Sequence, residues 1–324
     1  MDWINKYFSE PDDFPRPDWD AIYDCVDKDH SEVDQQELWC DIAKAWLENL
    51  KTTLSNDYSL HESDNFILLT SEKEKYVTLF TNFLEKTRKN ILSTLPGIVA
   101  DEGFGKHVVL IFDDIDDYFS YLSYYYPEEG EFGLSAGVFL NKGYGHFAFP
   151  FQEIVEAEPI AAHELTHALL SHLTIPAWLN EGIAVNMEGH ISGYTPYNLN
   201  AEIIARHKKF WGIEEVQSFW AGESFGRPDE GQELSYNLAQ FAVSALIQNY
   251  DSFVQFANKA HYSDGGEAAA NEVYEGSLGG LLTNVLGDDD WSPKPELWDE
   301  KKVEQDILLS AIIRVRVKIT VENR

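Results

Sequence analysis

The sequence predicts an α+β fold: a small mixed sheet with helices, then a mainly helical C-terminal half, with a candidate active-site helix between them. Three observations predict it. Short apolar runs read as buried strands at 65–71 (NFILLTS), 107–114 (HVVLIFDD), 135–141 (SAGVFLN) and 145–151 (GHFAFPF). Helical periodicity lies between the first three of them and dominates from about residue 157 onward. The 324 residues are 44% hydrophobic and 14% aromatic, ample material for a packed core.

The elements follow in order. Residues 1–62 form an acidic N-terminal region, broken early by Pro11, Pro15 and Pro17. Within it Leu38, Ile42, Ala45, Trp46 and Leu50 recur at helical spacing over 34–54, a packing element. Residues 63–156 read as an α+β subdomain. After the first strand, Thr70 and Ser71 are N-cap candidates for a helix over 72–94, ended near Pro96-Gly97. Between 114 and 126 an aromatic stripe (Tyr118, Phe119, Tyr121, Leu122, Tyr125) reads as core. The last two strands flank a glycine-containing turn, and Pro150 makes the second an edge strand or ends it. Residues 157–290 read as a helical subdomain, with helices at about 157–173, 176–189, 197–209, 235–250, 252–261, 266–274 and 277–286. GDDDWSPKPELW at 287–298 reads as a linker. Residues 291–324 form a C-terminal extension whose IIRVRVKITVEN alternates at a period of two, as a strand would.

Net charge is −32, from 56 acidic and 24 basic residues. Such a surface repels phosphate backbones and anionic bilayers, so neither nucleic acid nor membrane is an expected partner. Cys25 and Cys40 are the only cysteines and form no metal or redox motif, which fits a reducing compartment. The N-terminus lacks a basic region before an apolar stretch, and no window approaches 18 apolar residues. A cytoplasmic location is therefore expected.

Chemistry concentrates in HELTHALLSHLTIPAWLNEG at 163–182. On a helix, His163 and His167 stand one turn apart on one face, close enough to bind one ion. Neutral imidazoles suit zinc. Glu164 is rotated about 100° from His163, so it flanks the ion as a base rather than joining its ligands. A catalytic zinc takes three protein ligands and keeps one position open. Glu181, 14 positions after His167, is the natural third. Pro176 starts the second helix after a short connection, which brings that helix back beside the first. Gly182 removes a side chain at a crowded contact, and Trp178 can pack nearby. His172 points about 140° away from His167 and reads as a helix-end residue. His146 and His190 are cleft candidates, though most lone histidines do not line clefts.

HELTH followed by PAWLNEGIA resembles the gluzincin metallopeptidases, in particular the peptidase MA-like group, whose pattern is HExxH, a short connection, then W-x-x-EG-x-A. The match uses His163, Glu164, His167, Trp178, Glu181, Gly182 and Ala184. It implies a zincin-like fold, one zinc ion on His163, His167 and Glu181, Glu164 as general base, and a peptide or protein substrate. It also implies an upstream edge strand that pairs with the substrate backbone, for which GHFAFPF is the candidate. SYNLAQFAVSALIQNY at 235–250 resembles the group's later helix, whose leading tyrosine in the aminopeptidase N family stabilises the tetrahedral intermediate; Tyr236 is the counterpart. NEVYEGSLGGLLTNVLG at 271–287 resembles the closing helical pair. The likeness covers about 63–290 and is sharp at 163–185.

There are departures. Only 13 residues separate His167 from Glu181, fewer than in thermolysin or aminopeptidase N relatives. Val185 stands where the thermolysin family has an aspartate, so no carboxylate that orients a histidine is identified. The exopeptidase motif GxMEN is absent. The expected function is zinc-dependent peptide hydrolysis through a metal-activated water, with Glu164 as base. Two alternatives stand beside it: a catalytically silent zinc-binding scaffold of the same fold, and a zinc hydrolase of non-peptide amides.

Overall fold

In the computed structural model the described residues are 4–8, 14–26, 32–55, 57–125, 136–194 and 199–298. The alternating run at 312–323 lies outside them, as do Pro11, Tyr126, Ser135 and residues 197 and 198 of expected elements. The chain divides into two units, 1–90 with 101–168 and 91–100 with 169–324.

The first unit is built on one mixed sheet. FILLT and HVVLIF carry no polar alternation because both faces of their strands are covered. They form β2 (Phe66–Thr70) and β3 (His107–Phe112), which follow β1 (Ser59–Glu62) in the chain. The order across the sheet is β1-β2-β3-β5-β4, with β4 at Val138–Leu140 and β5 at His146–Pro150. β2, β3 and β5 run parallel, while β1 and β4 pair antiparallel at the two edges. GHFAFPF is therefore not an edge strand. Val109 pairs with Phe147 on one side of β5, and Phe139 pairs with Phe147 on the other. The edge beside it is β4. Pro150 instead ends β5, and the next amide, Phe151, donates to the Phe112 carbonyl at 2.7 Å. β1 has no counterpart in the sequence reading: SLHE is half-exposed and too polar to signal a strand.

Described residues between 4 and 51 cover one face of this sheet. Two helices, α1 (Trp19–Val26) and α2 (Glu32–Lys51), bury Ile22, Val26, Trp39, Ile42, Trp46 and Leu50. These cluster with Ile67, Leu69, Val108, Leu110 and Ala148, which lie on one sheet face. Phe149 turns the other way and meets Phe80 of α3 (Glu74–Thr94) edge-on at 6.3 Å. After β3, Asp114 caps α4 (Ile115–Ser123) by accepting from Asp116 N, and the aromatic stripe buries Tyr118, Tyr121 and Leu122 as core. The unit ends in α5 (Ile154–Leu170), which carries Pro159 in its second turn.

The second unit is helical: α6 (Ala177–Ser192), α7 (Ala201–Phe210), α8 (Glu215–Ala221), α9 (Glu230–Leu246), α10 (Tyr250–Lys259), α11 (Glu267–Tyr274) and α12 (Gly279–Leu286). Asp229 caps α9 through the Gly231 amide, so this helix starts earlier than expected and Tyr236 lies nearly two turns inside it. The segment read as a linker is packed down. Trp220 Nε1 donates to the Trp291 carbonyl, and Gln217 Oε1 accepts from Lys294 N and Trp298 Nε1. Trp291 and Trp298 are both buried. Among the described residues no helix is long and apolar enough to cross a membrane.

Candidate metal centre

The C-terminal part of α5 is mostly buried. Ala161, Ala162, Leu165, Thr166, Leu169 and Leu170 are buried, and the Thr166 hydroxyl folds back onto the Ala162 carbonyl at 2.8 Å. One stripe stays accessible, with Ile160, His163, Glu164 and His167 half-buried at i, i+3, i+4 and i+7. The chemistry-bearing residues therefore occupy the accessible stripe of the helix's C-terminal part, while Val155 and Glu156 in its first turn are exposed. The two imidazole rings stand 4.7 Å apart, nearly perpendicular at 81°.

Glu181 sits in the second turn of α6. Pro176 is the N-cap, extended at φ −65° and ψ 153°, and it turns the chain into the helix. Trp178 is fully buried and donates to the Gly265 carbonyl at 2.9 Å, so it anchors α6 in the helical core. Gly182 is a close contact with α9: a Cβ there would lie 2.6 Å from the Ala239 carbonyl oxygen. Val185 is buried. Ligand atoms of His163, His167 and Glu181 lie within 4.8 Å of one another, so this group could hold a metal ion. Donors about 2.1 Å from a tetrahedral centre stand roughly 3.4 Å apart, inside that limit.

Glu164 is held from the sheet. Its Oε2 accepts the backbone N–H of Phe139, on edge strand β4, at 2.7 Å. Sequence reasoning missed Phe139. A backbone donor has no residue-type signature, and the strand order that makes β4 the edge is non-local.

Among the described residues no other histidine joins the group. His172 lies in the turn after α5, and His190 is exposed near the end of α6. Tyr236 is half-buried and meets the Phe225 ring edge-on at 5.2 Å. His146 is fully buried. Its Nδ1 faces the Tyr144 carbonyl at 2.7 Å and its Nε2 faces the Tyr121 hydroxyl at 2.7 Å. A carbonyl only accepts, so Nδ1 carries the proton and Nε2 accepts from Tyr121. Burial pulls the His146 pKa from 6.5 down to about 4, against the opposing bond to Tyr144. The unfolded chain therefore binds a proton in this window that the native state does not. The stabilisation is complete above pH 6.5 and is lost as pH falls towards 4, on the order of 3 kcal/mol. Denaturant unfolding of wild type and His146→Gln between pH 7.5 and 4 checks this. The stability gap should narrow as pH falls, and parallel curves would contradict it.

No protein-family model matches the sequence, and no curated protein matches it. The functional reading therefore rests on the residues themselves.

Proposed function

We propose that the chain is a zinc-dependent peptidase of the gluzincin type with a zincin-like fold. One observation carries the reading: two imidazoles and a carboxylate converge while Glu164, on the same accessible stripe, is anchored to an edge strand. The donor set, two histidines and one glutamate, is that of a catalytic rather than a structural zinc site. His163, His167 and Glu181 would hold the ion. Bound there, zinc supplies Lewis acidity, lowering the pKa of a water and polarising a carbonyl.

This chain's own residues do the rest. Glu164 takes the proton from the attacking water and returns it to the leaving nitrogen. β4 is the outer strand of the sheet among the described residues, and an extended peptide would pair along it. Tyr236 is assigned to the oxyanion, on the resemblance alone. We place the protein in the cytoplasm, with a peptide or protein substrate and neither nucleic acid nor membrane as partner. Cys25 and Cys40 are free thiols, which fits that setting.

The test is a pooled-peptide cleavage assay on zinc-loaded protein, followed by mass spectrometry. Internal or terminal cuts that chelation abolishes and zinc restores are expected. Bound zinc without any cut would favour the silent scaffold, and turnover of non-peptide amides alone would favour the other hydrolase.

A further inference from the structure

Residues of an antiparallel strand alternate. One turns both its N–H and its C=O towards the partner strand, and the next turns both away. The Phe139 N–H bonds Glu164, so residue 139 belongs to the outward set, while Val138 and Leu140 turn towards β5. An outward amide on an edge strand is ordinarily open to an incoming strand. Here it is committed to a carboxylate, and hydrogen bonds to charged acceptors are roughly twice as strong as neutral ones.

The spacing that permits this bond is built in. Gly137, at the entry to β4, lets the chain pass close to β5 and α5: a Cβ there would lie 2.3 Å from the Phe149 ring and 2.9 Å from Ile160 Cγ2. Ile160 is one turn before Glu164 on α5. Gln152 holds the same entry by donating to the Ala136 carbonyl at 2.5 Å.

We infer that the Phe139 backbone amide is a positioning group for Glu164, and that at this residue the edge offers a bound peptide its carbonyl rather than its amide. The inference rests on the peptidase reading of the same site. A donor fixed in a strand holds one carboxylate oxygen and with it the plane of the group, so the base meets its proton already oriented. The substrate is then recognised at residue 139 through an N–H of its own.

Two variants isolate the amide. Phe139→Pro removes the donor, and proline is tolerated on an edge strand where its nitrogen faces outward. Phe139→Ala keeps the donor and loses only the ring, which packs 5.1 Å from Phe147. With zinc-loaded full-length protein and a peptide the wild type cleaves, kcat of the proline variant should fall about tenfold or more below that of the alanine variant, with KM within about twofold. Equal kcat values would overturn the inference. So would a loss confined to KM, which would assign the amide to the substrate. Amide hydrogen exchange needs no turnover. Exchange at Phe139 should accelerate about tenfold or more in Glu164→Ala, as an outward edge amide loses its acceptor. An unchanged rate would overturn the pairing even in an active enzyme. A wild type that cleaves nothing sinks the peptidase reading separately, and exchange still decides the pairing.

Discussion

Glu164→Gln is expected to remove peptide cleavage while leaving metal binding intact. Glutamine has the shape of glutamate, and its side-chain oxygen can still accept the Phe139 N–H, so the position of the group is kept. What is lost is the ability to take and return a proton. General acid–base catalysis contributes about 10²- to 10⁴-fold, so kcat should fall by that order with zinc stoichiometry unchanged. Single-turnover cleavage with parallel metal analysis checks both halves. Activity within about threefold of wild type would remove Glu164 from the chemistry.

Gly182→Ala has the next largest expected effect, and it acts through packing. The added Cβ would stand 2.6 Å from both the Ala239 carbonyl oxygen and Val243 Cγ2. A helix carbonyl cannot rotate aside, so α6 and α9 must separate. One turn on, Asn186 Nδ2 donates to the Gly182 and Gln240 carbonyls, and its Oδ1 accepts from Ser244. Separation strains this bridge as well. Overpacking costs about 1–3 kcal/mol. Strained bonds add about 1 kcal/mol each, and the gain in helix propensity offsets about 1 kcal/mol. The net should lower Tm by roughly 3–10 °C. Because Glu181 is the adjoining residue, metal affinity should fall at least about tenfold with it. Thermal melts with metal titration read both effects, and a variant as stable and as tight as wild type would contradict the account.

The parts legible in the sequence share a physical reason: they are local. His163, Glu164 and His167 sit at helical spacing on one helix, and the short connection before Pro176 brings Glu181 within reach. FILLT, HVVLIF and HFAFP are apolar runs whose burial shows in composition alone. Non-local features were hidden. GHFAFPF reads as an edge because of Pro150, yet strand order puts β4 outside it. Half-exposed SLHE carries no strand pattern. The start of α9 was masked by Gly226, Pro228 and Gly231, although Asp229 is its cap. GDDDWSPKPELW reads as a linker because acidic and proline residues outnumber the two tryptophans that pin it down. The helical spacing over 34–54 shows a packing element but not the sheet face it covers.

Metal stoichiometry tests the central claim most directly. Full-length protein exposed to zinc and freed of excess should hold one ion per chain, and His167→Ala and Glu181→Ala should each retain almost none at the same free zinc. A wild type that takes up no metal, or variants that bind it as tightly, would contradict the assignment of His163, His167 and Glu181 as the ligands.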